Sequence, residues 1–126
     1  MRVIGGSLKG RRLREIKTES NMISLRPTTD RIKESLFNIL FGGKFDLKIE
    51  NARILDIFAG SGALGLEAIS RGAKSCTFIE KNKACVRILD ANISICNIKS
   101  QTNIKIFDAT EFPLNRDQPY DLVFVD

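Results

Sequence analysis

Three acids and a glycine loop are where this sequence can do chemistry. The run Ile54-Leu55-Asp56-Ile57-Phe58-Ala59-Gly60-Ser61-Gly62-Ala63-Leu64-Gly65 holds the pattern G-x-G-x-x-G at Gly60, Gly62 and Gly65. Glycines at that spacing let a nucleotide-like ligand approach the backbone closely. Glu80 closes the next apolar stretch, where a carboxylate can accept both hydroxyls of a ribose. Those features alone fit a nicotinamide or flavin dinucleotide equally well.

Asp56 separates the ligands. A dinucleotide places an anionic pyrophosphate over the glycine loop, and a carboxylate at the end of the first strand would repel it. S-adenosylmethionine has no phosphate and carries a cationic sulfonium and α-amino group, which an acid at that point can hold directly or through water. Asp108, followed by Ala109, stands after a third apolar stretch and can accept the exocyclic amine of adenine. Phe58, Ala59, Gly60, Ser61 and Gly62, with Asp56, Glu80, Lys81, Asp108 and Ala109, form the set expected to line the cofactor. Each acid has a competing structural role: Asp56 can cap loop amides, and Asp108 can cap the turn toward Pro113.

The elements that must position these residues follow from periodicity. Arg53–Phe58, Ser75–Glu80, Ile104–Phe107 and Asp121–Val125 are predicted strands. Ala63–Arg71, closed by Gly72, is a predicted helix, and Asn82 caps another running to about Ile95. The alternation implies an α/β fold with a parallel, doubly wound sheet and right-handed crossovers, whose order in a Rossmann-type topology is 3-2-1-4. Ligands bind such sheets at the carboxyl ends of the strands, where all three acids fall. Before this domain, Arg2-Val3-Ile4 and Arg11-Arg12-Leu13-Arg14 flank glycines as a hairpin. A helix follows from Thr28 or Thr29 to Gly42-Gly43, with Asp30 at its N-terminus and Ile32, Leu36, Ile39 and Leu40 as its core stripe. Phe37 and Phe41 are expected to join the core.

Charge separates the two parts. Of the net +5, residues 1–33 hold nine Lys/Arg against three Asp/Glu, and residues 34–126 hold eleven against twelve. The excess therefore lies at the start, where Arg2, Lys9, Arg11, Arg12 and Arg14, with Arg26, are candidates to contact the phosphates of a polyanion. The bland alternative is a solubilising arm whose charges block edge-to-edge pairing. There is no histidine, which excludes Ser-His-Asp and Cys-His catalysis. Cys76, Cys85 and Cys96 have neither metal-site nor disulfide spacing and are expected to be buried small hydrophobes. No metal is expected. Neither a secretory signal nor an apolar run long enough to span a bilayer is present, so a cytoplasmic protein is expected.

The glycine motif, Glu80, Asp108 and Leu122-Val123-Phe124-Val125-Asp126 resemble the ordered motifs of class I methyltransferases. More narrowly, Val3-Ile4-Gly5-Gly6 with Lys9-Gly10-Arg11, then Leu25-Arg26-Pro27-Thr28-Thr29-Asp30-Arg31, and Phe58 to Ala68 are similar to the RsmD family. The resemblance covers nearly the whole chain. It implies a Rossmann-like fold, S-adenosylmethionine as cofactor, and methylation of the exocyclic N2 of a guanine in small-subunit ribosomal RNA. It also implies that Asp126 is catalytic, since an Asp opens the family's Asp-Pro-Pro-Tyr/Phe motif at that place.

The sequence stops at Asp126, so the expectation is a C-terminally incomplete sheet and an inactive fragment of an enzyme that is monomeric when complete. Residues 1–26 are expected to form the basic hairpin and linker, and residues 27–126 the cofactor domain. Its partner would be the RNA or an assembling small subunit, with no membrane. Two other classes stay open: a dinucleotide-dependent oxidoreductase and a non-catalytic RNA- or cofactor-binding module.

Overall fold

The computed structural model describes residues 1–15, 29–108, 110 and 119–125. Four parallel strands, β1 (Arg53–Ile57), β2 (Ser75–Ile79), β3 (Thr102–Lys105) and β4 (Leu122–Val125), lie in the order β3-β2-β1-β4. This is the expected order. Central β1 buries Ile54, Leu55 and Asp56 on both faces, as a strand covered on both sides must. Helix α2 (Ala63–Ser70) is buried along its whole length. Helix α3 (Lys83–Cys96) is capped by Asn82, whose side chain accepts from Ala84 N and Cys85 N. Ile54, Leu66, Phe78 and Leu89 form the centre of the core.

Gly65 explains why α2 sits so close to the sheet. A Cβ added there would come within 2.4 Å of Phe78 Cε1 and 2.6 Å of Cys76 Sγ. Gly65→Ala is therefore expected to cost about 1–3 kcal/mol by overpacking, read as a lower midpoint in urea. An unchanged midpoint would show that the helix can retreat.

Two expectations are corrected. The third strand is not Ile104–Phe107 but Thr102–Lys105, after a short three-ten turn over Lys99–Gln101. Its register pairs Thr102 with Cys76 and Lys105 with Ile79, the last residue of β2. As an edge strand it tolerates Thr102 and Asn103, so the apolar residues alone mark it too late. The second correction concerns α1 (Asp30–Phe41), capped by Thr29 through a bond from Ile32 N. Ile32 and Ile39 are 56% and 59% exposed, while Lys33 and Phe37 are buried. Leu36, Leu40 and Phe41 pack partly against the core.

The helix is turned because Lys33 has a charged partner inside. Its ammonium stands 3.6 Å from Glu67 of α2 and donates to the Arg2 carbonyl. Phe37 packs against Phe41 and Phe124, with the Arg71 guanidinium 4.9 Å above its ring. Burial pushes the Lys33 ammonium below its usual pKa, opposed by Glu67 and Asp30.

The hairpin forms, as one antiparallel bridge between Arg2 and Arg12 with Val3 N donating to Arg11 O at 2.9 Å. It is no loose arm, for Val3 and Leu13 belong to the main core. Ile4 N and Gly5 N each donate to Glu67 at 2.9 Å, and Leu8 N donates to Ser70 Oγ at 2.9 Å. Cys76, Cys85 and Cys96 are buried free thiols, each pushed up in pKa chiefly by burial. Among the described residues, no helix is long and apolar enough to cross a membrane.

Candidate cofactor site

The parallel order aligns the three acids along one edge of the sheet. Asp56 is the next-to-last residue of β1, Glu80 directly follows β2, and Asp108 lies beyond β3. The glycine loop passes over this edge from β1 into α2. Ala59 N donates to Ile79 O at 3.1 Å, and Gly62 N to Ala59 O at 2.9 Å. Gly62 caps α2 at φ 87°, and a Cβ there would meet Leu89 Cδ1 at 2.4 Å. Both the left-handed backbone and the lack of space call for glycine.

Asp56 is buried, and its Oδ2 accepts from Gly65 N at 3.1 Å. Gly65 is the third residue of α2, so the carboxylate takes one of the amides that a helix N-terminus offers to anions. Glu80 joins β2 to the loop: Oε1 accepts from Gly60 N at 2.9 Å and Oε2 from Asn82 N at 3.0 Å. A carboxylate has about four acceptor positions, so each oxygen keeps capacity for a ribose hydroxyl.

Asp108 accepts from Thr110 N at 2.9 Å and Thr110 Oγ1 at 2.8 Å, both through Oδ1. Its Oδ2 faces the Lys81 ammonium at 3.6 Å. The Thr110 bonds and then Lys81 hold its carboxyl below the usual range, so it is ionised at neutral pH. The turn-capping role is realised at one oxygen. Phe58 has φ 59° and is 48% exposed, a conformation rare for an aromatic residue and costing on the order of 1 kcal/mol. Such strain is characteristic of ligand loops.

The arm's cations divide. Arg2 Nε pairs with Asp30 at 3.0 Å, and Arg11 Nη1 donates to Ile95 O at 2.8 Å near the end of α3. Both are partly spent on holding the arm. Lys9, Arg12 and Arg14 are exposed. Arg26, Thr28, Ala109 and Asp126 lie outside the described residues. Among the described residues, no group of three or more acids or cysteines can hold a metal.

Sequence reasoning missed the residues that latch arm to domain: Lys33, Glu67, Ser70, Arg71 and Asn92. Arg71 Nε bonds Glu67 Oε2 at 2.8 Å, while Asn92 bonds both the arm and the loop. A signal existed in Glu67, the one charge in the otherwise apolar helix Ala63–Ile69. A lone acid on a helix buried all round must have partners inside.

A family model described as "Conserved hypothetical protein 95" matches residues 1–126. The chain is 41% identical over 124 residues to ribosomal RNA small subunit methyltransferase D of Buchnera aphidicola, covering 98% of this chain and 60% of that protein. To the Escherichia coli K12 protein of the same name it is 40% identical over 126 residues, covering 100% and 59%. The solved structure of yhhF from Escherichia coli superposes with a TM-score of 0.80 at 37% identity, covering 100% of this chain and 63% of that one. The chain thus spans about 60% of the length of the curated relatives it matches. With a family model matched from end to end and these relatives sharing its motifs and its fold, this chain belongs to the RsmD family.

Proposed function

We propose that this chain carries the S-adenosylmethionine site of an enzyme that methylates the exocyclic N2 of a guanine in small-subunit ribosomal RNA. The observation that carries the cofactor assignment is Asp56 on the Gly65 amide. The protein's own buried carboxylate takes the helix amide that a dinucleotide's pyrophosphate would use. Asp56, Glu80 and Asp108 then present an acidic edge, suited to a cationic ligand. Lys81, the cation beside it, is already paired with Asp108.

When bound, S-adenosylmethionine supplies a methyl group activated by its positive sulfur. The protein's own part is positioning and electrostatics. Glu80 holds the ribose, Asp108 and Ala109 hold the adenine edge, and Phe58 to Gly62 shape the loop beneath it. Asp126 would accept from the guanine amine, turning its lone pair toward the methyl group, and would take the proton that the amine nitrogen loses. The names of the relatives support ribosomal RNA as the substrate; N2 of guanine rests on the motif resemblance.

The assignment is tested by titration. S-adenosylhomocysteine is expected to raise the melting temperature and NAD to leave it unchanged. Glu80→Ala should weaken S-adenosylhomocysteine by about 1–3 kcal/mol, as befits bonds to a charged acceptor. Stabilisation by NAD alone would reverse the assignment. Equal affinity in the variant would remove Glu80 from the ribose.

The arm supplies RNA affinity through its exposed cations Arg2, Lys9, Arg11, Arg12 and Arg14. Replacing Arg12 and Arg14 by Ala is expected to flatten the salt dependence of RNA binding, by roughly one counterion per lost phosphate contact. Cofactor affinity measured without RNA should stay the same. An unchanged slope would leave the arm a solubilising element.

A further inference from the structure

Asn92 lies on α3 without solvent exposure and belongs to neither the acidic edge nor the basic arm. Its side chain nevertheless touches both regions. Oδ1 accepts from Arg14 N at 2.7 Å, and Nδ2 donates to Arg14 O at 3.0 Å and to Ser61 O at 2.9 Å. The amide's orientation is fixed by its partners: the atom facing two carbonyls must be the nitrogen, and the atom facing an N–H must be the oxygen.

We propose that Asn92 is a positioning residue that couples RNA on the arm to cofactor in the glycine loop, so that each ligand tightens the other. This rests on the assignment of arm and loop given under the proposed function.

The reciprocal pair with Arg14 imitates a strand partner, so the arm's backbone cannot shift without breaking two part-buried bonds or carrying Asn92 with it. The second amide hydrogen holds the Ser61 carbonyl. That carbonyl belongs to the peptide leading into Gly62, whose left-handed conformation opens α2. A second contact runs in parallel: Ser61 Oγ lies 3.7 Å from Met1 Sδ, and Met1 O accepts from Leu13 N at 2.8 Å. Both ends of the hairpin therefore meet the loop at Ser61. The Arg14 side chain points to solvent, so a phosphate gripped there pulls on the backbone that Asn92 holds. Bonds from a buried amide are stiff, because breaking one leaves an unpaired polar group away from water.

The test is a binding cycle on the full-length protein, with S-adenosylhomocysteine and in vitro transcribed small-subunit ribosomal RNA as probes. In the wild type, saturating RNA is expected to lower the Kd of S-adenosylhomocysteine about fivefold or more, and the reverse cycle must give the same factor. Asn92→Ala removes all three bonds. Asn92→Asp keeps the volume and the acceptor for Arg14 N but leaves the Arg14 and Ser61 carbonyls without their donor. In both variants the factor is expected to fall below about twofold, whatever happens to each separate affinity. A merely structural role would weaken both ligands and keep the wild-type factor, which would overturn the proposal.

A wild type that binds both ligands with a factor under about 1.5 would overturn the coupling and leave the functional assignment standing. Failure of the wild type to bind S-adenosylhomocysteine, or to bind the RNA either naked or in an assembling small subunit, would overturn both. Should neither variant fold, the wild type decides: RNA added without cofactor is expected to slow amide exchange at Gly60 and Gly62, and an unchanged rate would overturn the coupling.

Discussion

Glu67→Leu is expected to destabilise the protein by about 3–5 kcal/mol, the cost of breaking a buried ion pair from one side. Glu67 is fully buried and takes four partners: Ile4 N, Gly5 N, Arg71 Nε and the Lys33 ammonium. Its removal strands two backbone donors and leaves the Lys33 ammonium, also fully buried, with the Arg2 carbonyl as a hydrogen-bond partner and Asp30 as the nearby acid. Lys33→Met should cost far less, about 1 kcal/mol, because Glu67 would keep Arg71 and both amides. Urea denaturation of the two variants checks the asymmetry, and equal losses would contradict it.

The same pair predicts a pH effect. Burial already holds Lys33 below its ordinary pKa, and losing Glu67 lowers it further. Between a depressed folded pKa and the unfolded one, the unfolded state binds more protons, so stability rises with pH. The deficit of Glu67→Leu relative to wild type should therefore narrow as pH rises from 7 toward the lysine range near about 10. Comparison with wild type cancels the buried thiols, whose raised values act in the opposite direction. A deficit that is constant or widens would mean that Lys33 is not the group left unpaired.

The largest effect on activity is expected at Asp126. In the full-length protein, Asp126→Ala should lower methyl transfer by about 100-fold or more, since losing the group that aims a reactant, or displacing it by about 1 Å, has that scale of consequence. Cofactor affinity should hold, because the ribose and adenine contacts are assigned to Glu80 and Asp108. Single-turnover rates with radiolabelled S-adenosylmethionine separate the two effects. A variant as fast as wild type would remove Asp126 from the chemistry, and a variant that has lost the cofactor would place it in the binding site.

Much of the architecture was legible because it is written in local periods. Apolar runs of strand length alternate with helical ones, so β1, β2, β4, α2 and α3 appear within a residue or two of their observed ends. The Rossmann-type topology then gives the sheet order and aligns Asp56, Glu80 and Asp108. What stayed hidden depends on contacts between distant segments. Nothing near Lys33 announces that Glu67 will draw it inward, so the apolar stripe through Ile32 and Ile39 mispredicts the buried face of α1. The Asp30 contact of Arg2 and the Ile95 carbonyl bond of Arg11 could not be read from the sequence either, because both partners lie far along the chain. Asn92 is unremarkable in sequence because its partners, Ser61 and Arg14, lie on segments far from it in the chain.

The most direct measurement is methyl transfer itself, from tritiated S-adenosylmethionine to small-subunit ribosomal RNA by the full-length protein, with nucleoside analysis of the product. The expected result is label recovered as N2-methylguanosine, abolished by Asp126→Ala and reduced by Glu80→Ala at limiting cofactor. Label recovered at another nucleoside would contradict the guanine assignment. A protein that binds S-adenosylhomocysteine yet transfers no methyl group to this RNA, naked or in an assembling subunit, would contradict the account as a whole.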